Sequence, residues 1–181
     1  HPQFEKLCLE LKRYDIKYRC HTRSNLITPQ KAQMLVESGC EECSLGVESA
    51  DDYVLKLNSK GVNSLQHGKA IEIIKGAGLR AKTYWMSGLP GETDETVRLN
   101  KLFMKTHKPD KWTLSTFTPY PGCDIFNNPE KFDVEITNHD YQNWWNFVFN
   151  VRDLNLPFRE GYVHVLKGQT KEQMKARHDD F

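Results

Sequence analysis

The feature that most constrains the fold is a regular alternation of strand-like and helix-like segments over residues 16–118. Strand patterns at 16–21, 43–47, 79–86 and 111–118 are separated by amphipathic helix patterns. Such alternation predicts βαβ units and a parallel sheet, either doubly wound or part of a (β/α) barrel. Because a complete barrel needs about 200 residues or more, the barrel alternative implies a partial one of about four strands with flanking helices.

Local signals place several helix ends. Thr28 followed by Pro29 is typical of a helix start, and Gly39 is typical of a helix end. The helical spacing of apolar residues predicts a further helix over residues 64–77, and Thr93 is expected to cap the helix after it. We expect the buried face of that helix to contain Leu99, Leu102, Phe103 and Thr106.

The composition changes after Tyr120, where a proline- and asparagine-rich connection leads into an aromatic-rich segment. We interpret 123–181 as a C-terminal extension that packs on a barrel formed by 7–122. Residues 157–166 are expected to be extended, and Thr170 with Gln173 forms a capping-box pattern. The aromatic segment predicts a core helix, rather than a stacking platform, with a face formed by Tyr141, Trp144, Trp145 and Val148.

The first six residues, HPQFEK, match the end of a common streptavidin-affinity tag. We interpret residues 1–6 as a tag remnant and exclude them from functional reasoning. A helical register formed by Phe4, Leu7, Cys8 and Leu11 nevertheless runs through them.

Composition bears on the partners and the cellular compartment that can be expected for this chain. The net charge of +1 gives no reason to expect nucleic acid or an acidic membrane surface as partner. No apolar run reaches about 18 residues, so no membrane span is expected. The five cysteines are odd in number and lack framework spacing, which predicts reduced thiols in a cytoplasmic protein. Cys40-x-x-Cys43 has no second metal-ligand pair, so we interpret Cys43 as a core residue.

Polar residues gather where the predicted strands end. Ligands of parallel α/β folds bind at the carboxyl ends of the strands, and polar groups are costly to bury without partners. The pattern predicts a binding site or a solvated rim, and Glu48 fits a site acid and a helix cap equally well. The residues at this edge are His21, Arg23, Glu48, Ser49, Met86, Ser87, Gly88, Tyr120 and Pro121.

The stretch GLPGET after the third strand differs from a phosphate-binding loop. Glu92 stands where such a loop requires lysine, and further acids follow it. Gly88 and Gly91 indicate close approach of the backbone to a flat, uncharged group such as adenine, with an apolar wall from Met86 or Leu89. A tight turn between strand and helix is the alternative.

Assembled in order, these segments resemble the radical S-adenosylmethionine (radical SAM) superfamily, most closely the branch that often carries an N-terminal cobalamin-binding domain. The resemblance runs from Ile16 to Asn128. It depends on three ordered blocks at 20–61, 68–93 and 118–129, the last two reading GKAIEIIKGAGLRAKTYWMSGLPGET and TPYPGCDIFNNP.

The resemblance implies a partial (β/α)6 barrel in which a four-iron, four-sulfur cluster reductively cleaves S-adenosylmethionine to a 5′-deoxyadenosyl radical. By position, Glu48 is implied to bind the ribose hydroxyls or the methionyl amine, with Ser49 beside it. Arg23 is implied to pair with the methionyl carboxylate. The residues implied on the adenine side and its rim are Met86, Gly88, Leu89, Tyr120 and Pro121.

One departure from the family pattern is decisive for activity. The CxxxCxxC loop that holds the cluster in this family is absent from the sequence. We therefore expect a fragment or truncated homologue that alone does not cleave S-adenosylmethionine. The cluster, and cobalamin if present, would belong to a parent protein whose N-terminal portion is missing here.

A second class of function stays open. A short parallel sheet leaves edge strands that invite pairing with another chain. The alternative is therefore a non-catalytic α/β module that binds a nucleoside or a partner and forms a homodimer through its sheet edge.

Overall fold

The computed structural model describes residues 2–141, 144 and 162–181. Four parallel strands form one sheet in the order β1-β2-β3-β4, with helices between them, which confirms the predicted α/β class. The elements up to the last strand of this sheet are α1 Phe4–Arg13, β1 Tyr18–Thr22, α2 Pro29–Glu37, β2 Cys40–Glu48, α3 Asp52–Leu57, α4 Ser64–Gly76, β3 Arg80–Ser87, α5 Asp94–His107 and β4 Lys111–Thr116.

A smaller set of elements follows β4. They are α6 Asp124–Asn127, a 3-10 helix Pro129–Phe132, β5 Val134–Ile136, β6 His164–Leu166 and α7 Lys171–Asp180. The strands β5 and β6 pair antiparallel in a separate two-stranded sheet, which the sequence patterns did not predict.

The chain divides into two compact units. The first unit contains His1–Val47, Val62–Tyr84 and Phe103–Thr113, and the second contains Glu48–Gly61, Trp85–Leu102 and Leu114–Phe181. By these bounds, strands β2, β3 and β4 begin in the first unit, and their last residues belong to the second.

The first unit is built around the pairing of β1 with β2, in which Cys20 lies opposite Cys43. Cys43 is fully buried, as predicted for a core residue. The side chain of Thr28 accepts a hydrogen bond from the Lys31 N–H, so the predicted start of α2 is confirmed. Helix α2 contacts both α1 and α4. The residues of these helices that are buried include Cys8 of α1, Leu35 of α2 and Ile71 of α4.

The second unit has an apolar core beneath α7 that contains Val134, Tyr162, Leu166 and Met174. Helix α7 begins with the predicted capping box, in which Thr170 and Gln173 each bind the backbone N–H of the other. Strand β6 confirms the end of the predicted extended segment. Buried aromatic and aliphatic side chains therefore anchor the C-terminal residues within this unit.

The predicted face of α5 is partly wrong. Phe103 is buried as expected, but Leu102 is 52% exposed and Thr106 is also exposed. The stripe with helical spacing that is buried contains Thr96, Val97, Asn100 and Phe103. Two of these residues are polar: the Thr96 hydroxyl donates to Oδ2 of Asp51 at 2.8 Å, and Oδ1 of Asn100 accepts from the Ala50 N–H at 2.7 Å. Periodicity of apolar residues does not reveal such contacts.

Two further predictions concern the chain after residue 140. Trp144 is 1% exposed, as predicted for a core residue, whereas Trp145 and Val148 lie outside the described residues. The predicted boundary between 7–122 and 123–181 stays a prediction. Among residues 2–141, 144 and 162–181, no helix combines the length and apolarity needed to cross a bilayer.

Candidate functional site

Glu48, the last residue of strand β2, has a left-handed backbone conformation, and one of its carboxylate oxygens has no hydrogen-bond partner among the described residues. Its φ of 67° lies in the left-handed region, which costs free energy for a residue other than glycine. One carboxylate oxygen, Oε1, accepts from Nζ of Lys60 at 3.1 Å. The other, Oε2, is buried and has no hydrogen-bond partner among the described residues. Since buried polar atoms are rarely left unpaired, this oxygen is a candidate acceptor for a ligand donor.

Ser49 and Asn100 hold the turn that follows Glu48. The Asn100 Oδ1 accepts from the Ala50 N–H at 2.7 Å and from the Ser49 hydroxyl at 3.4 Å. The Ser49 oxygen in turn accepts from the Asp51 N–H at 3.1 Å. Ser49 and Asn100 are each 1% exposed. The hydroxyl of Ser49 therefore bonds within the protein and fixes the backbone next to Glu48.

Gly88, in the loop after β3, has both backbone polar groups engaged by protein. Its N–H donates to Oε2 of Glu92 at 3.0 Å, and its carbonyl accepts from Nε2 of His164 at 2.8 Å. Gly88 has a φ of 84°, and a Cβ there would lie 2.5 Å from the ring of Tyr162. The flat group against this glycine is thus a tyrosine ring of the protein. Its predicted role toward adenine stays a prediction.

Glu92 is a buried acid at the centre of this loop. Its side chain is 3% exposed, and Nε of Arg177 lies 3.4 Å from its Oε1. Burial raises the pKa of Glu92 to about 7, against the opposing effects of the Gly88 N–H and of Arg177. Glu92 therefore connects the loop that contains Gly88 to Arg177 of α7. In the sequence it lies two residues before α5.

Two side chains that adjoin β6 complete the contacts of the loop. The Tyr162 hydroxyl lies 2.6 Å from the Ser87 hydroxyl and 3.3 Å from the Met174 carbonyl. Burial lowers the pKa of His164 to about 4, so its ring is neutral at pH 7. Because Nε2 faces a carbonyl, it carries the proton and donates.

The remaining predicted site residues differ in exposure. Leu89 is 5% exposed, Met86 is half-buried and Tyr120 is 48% exposed. Pro121 is exposed, and so is Arg23, which follows β1. The structure assigns Arg23 to the first unit, whereas the other predicted cofactor residues all belong to the second.

The thiols do not form a metal site. The Cys20 sulfur lies 3.7 Å from that of Cys43 and 3.8 Å from that of Cys40. The hydrogen bond with Cys20, together with burial, raises the pKa of Cys40, which keeps it a protonated thiol. All five cysteines are free. Among the described residues, no group of three or more His, Cys, Asp or Glu side chains is arranged to hold a metal ion.

Sequence reasoning missed the residues that complete this region. Lys60 and Asn100 reach Glu48 and Ser49 from 12 and 51 residues away, and Arg177 reaches Glu92 from 85 residues away. No local motif marks such contacts. The helical spacing of Asn100 with the apolar residues Val97 and Phe103 of α5 is the one signal that could have predicted its burial.

The four-stranded parallel α/β sheet is consistent with a partial barrel, and its carboxyl edge carries an acid with one oxygen unpaired among the described residues, which is a candidate cofactor site. The chain belongs to the radical SAM superfamily, whose sequence model matches residues 1–102. The predicted family is thereby confirmed.

Two relatives illustrate the range of named activities. An uncharacterized methyltransferase of Pyrococcus horikoshii is 32% identical over 112 residues, which cover 62% of this chain and 24% of that protein. The anaerobic magnesium-protoporphyrin IX monomethyl ester cyclase of Rubrivivax gelatinosus is 28% identical over 144 residues, covering 75% of this chain and 26% of that protein. The chain thus spans about a quarter of the length of these relatives.

Solved structures support the fold. Coproporphyrinogen III oxidase from Escherichia coli aligns with a TM-score of 0.61 at 18% identity, covering 72% of this chain and 31% of that one. The radical SAM methyltransferase TsrM from Kitasatospora setae, solved with cobalamin and a 4Fe–4S cluster bound, aligns with a TM-score of 0.55 at 18% identity. That alignment covers 62% of this chain and 24% of TsrM.

Proposed function

We propose that this chain is part of the catalytic barrel of a radical SAM enzyme and contributes one part of the pocket for S-adenosylmethionine. The observation that carries the proposal is Oε2 of Glu48, a buried carboxylate oxygen without a donor among the described residues. S-adenosylmethionine offers such donors in its ribose hydroxyls and its methionyl ammonium group. The Nζ of Lys60 lies 3.1 Å from the other oxygen, Oε1, so Oε2 is the oxygen that a ligand donor would contact.

The other residues have supporting roles in this proposal. Ser49 orients Glu48 through its bonds with Asn100 and Asp51. Met86 and Leu89 supply apolar surface for the adenine ring. On the same proposal, Gly88 and Tyr120 border the nucleoside. The pairing of Arg23 with the methionyl carboxylate stays a prediction from the sequence.

The residues of this chain do not fit the iron–sulfur cluster. Its cysteines at 8, 20, 40, 43 and 123 lack the CxxxCxxC spacing. In its reduced state such a cluster would supply the one electron that cleaves S-adenosylmethionine to methionine and a 5′-deoxyadenosyl radical. We propose that the cluster is held by a part of a longer protein outside this sequence, and that this chain alone does not form the radical.

Two finer assignments belong to the same proposal. The branch is the cobalamin-binding one, supported by the bound cobalamin named for TsrM and by the methyltransferase relative. The location is cytoplasmic, supported by five free thiols that an oxidising compartment would not favour.

The test is anaerobic reconstitution of this chain with iron and sulfide, followed by an assay for 5′-deoxyadenosine from S-adenosylmethionine under reducing conditions. We expect no product above that of a protein-free control. Product formation in proportion to the chain's concentration would overturn the assignment of the cluster to residues outside it.

A non-catalytic, self-associating module is the second candidate. The observation that favours it is the sheet order, in which β1 and β4 are the outer strands among the described residues. Exposed edge strands promote pairing between copies. Light scattering at increasing protein concentration tests this candidate: a homodimer supports it, and a monomer throughout removes it.

A further inference from the structure

A polar and aromatic cluster lies on one face of the sheet within the first unit and uses none of the residues assigned to the cofactor. The imidazole of His21 on β1 stacks on the ring of Tyr84 on β3, with ring centroids 5.6 Å apart and an interplanar angle of 16°. The Nζ of Lys82 lies over the same tyrosine ring, 4.7 Å from its centroid. We call these three residues the stacking cluster.

The strand register explains how the two rings meet. Strand β2 lies between β1 and β3, and His21 pairs in register with Ser44 of β2. Residues paired in register share a face, so the small side chain of Ser44 leaves room for the rings above β2. Lys82 and Tyr84 are two residues apart and share that face as well. Ala81 and Thr83, which are fully buried, therefore belong to the other face.

This face of the sheet carries more positive than negative charge. The carboxylate of Glu42, 3% exposed, accepts from Nζ of Lys111 at 2.8 Å and lies 3.6 Å from Nε of Arg80. The hydrogen bond from Lys111 lowers the pKa of Glu42, with Arg19 and Arg80 contributing. The charged groups connected here are the cations Arg19, Arg80, Lys82 and Lys111 and the carboxylates Glu41 and Glu42.

Lys82 differs from the other cations of this face. Its contact is with an aromatic ring, and it forms no ion pair with a carboxylate among the residues that the structure describes. Lys82 and Tyr84 are both half-buried, so water screens them only in part. A cation held over a ring in this way can pair with an anion that enters from the open side of the face.

We propose that the stacking cluster binds a flat, negatively charged organic group, namely an aromatic carboxylate. The ligand ring stacks on the His21–Tyr84 pair, and its carboxylate pairs with the ammonium of Lys82. Both contacts are needed, because an exposed ion pair contributes little alone and stacking is indifferent to charge.

The test is an amide NMR titration of this chain with naphthoate and, separately, with its neutral amide naphthamide. We expect saturable shifts at His21, Ser44 and Tyr84, with naphthoate binding about tenfold more tightly than naphthamide. Equal binding of the two ligands would overturn the proposal, since a merely apolar surface does not distinguish them. Absence of saturable binding by naphthoate would overturn it too.

Variants of Lys82 separate charge from packing. Lys82→Gln should remove the preference for naphthoate, whereas Lys82→Arg should keep it. Lys69→Gln, an exposed change on α4, is the matched control and should leave binding unaltered. An unchanged NMR spectrum and thermal midpoint in each variant establish that it is folded. Retention of the preference in folded Lys82→Gln contradicts the proposal.

Discussion

The carboxylate of Glu92 accepts a hydrogen bond from the backbone N–H of Gly88 at 3.0 Å, so the loop after β3 closes on its own buried acid. Arg177 of α7 reaches the same carboxylate, and His164 of β6 binds the Gly88 carbonyl. Residues far along the chain thus hold this loop in one conformation. These contacts reduce the conformational freedom of the loop, and a pre-ordered loop lowers the entropy cost of binding a ligand.

Replacing Glu92 with glutamine should change how stability depends on pH. Burial raises the pKa of Glu92 from 4.5 to about 7, so the folded state holds a proton that the unfolded state has released between these values. This contribution to stability is fully present below pH 4.5 and is lost as the pH rises through about 7. Relative to Glu92→Gln, the wild type should lose about 1 to 3 kcal/mol of unfolding free energy across this range.

Urea denaturation at a series of pH values measures this difference directly. Comparison with the variant cancels other titrations, including that of His164. Glu130→Gln, at an exposed acid of the same unit, is the control and should give a curve parallel to that of the wild type. Parallel curves for wild type and Glu92→Gln would mean that the pKa of Glu92 is the same in the folded and unfolded states, and would contradict the prediction.

Gly88→Ala should destabilise the second unit by about 2 to 4 kcal/mol. Two costs combine, because φ is 84° and the new Cβ would lie 2.5 Å from the Tyr162 ring. Gly122→Ala isolates the first cost, since Gly122 has a φ of 95° but no atom within 4 Å of its Cβ position. It should cost about 1 kcal/mol in the same denaturation experiment. Equal losses for both variants would show that Tyr162 does not pack on Gly88.

Asn100→Ala should cost about 1 to 3 kcal/mol, because it leaves the buried N–H of Ala50 without an acceptor. The same change should raise the hydrogen-exchange rate of the Ala50 amide, whose partner is lost. Asn25→Ala, at an exposed position, is the control and should change unfolding free energy by less than about 0.5 kcal/mol. Unaltered exchange at Ala50 in Asn100→Ala would contradict the assigned hydrogen bond.

Much of the sheet could be predicted because its signals are local. Thr28 with Pro29 marks the start of α2, and the alternation at 79–86 marks β3, which runs from Arg80 to Ser87. Hydrophobic periodicity reports burial of apolar side chains, so it located these elements. It failed at Leu102, where an apolar residue of α5 faces solvent and the polar Asn100 is buried instead.

The candidate site was predictable only in outline. Glu48 was identified because an acid ends an apolar strand, which is a local pattern. Its partner Lys60 and the contacts of Tyr162 and His164 with the loop were not, since pairing across many residues leaves no periodic trace. The short strand His164–Leu166 was likewise expected only as extended chain, because its pairing with β5 depends on register rather than composition.

The most direct test of the central claim is calorimetric titration of this chain with S-adenosylmethionine, without any cluster. We expect saturable binding that Glu48→Gln weakens at least about tenfold, because the neutral amide oxygen is a weaker acceptor than a carboxylate oxygen and forms no ion pair with Lys60. Glu130→Gln, at an exposed acid of the same unit, should bind as the wild type does. No saturable binding by the wild type, or equal affinity in a folded Glu48→Gln variant, would contradict the account.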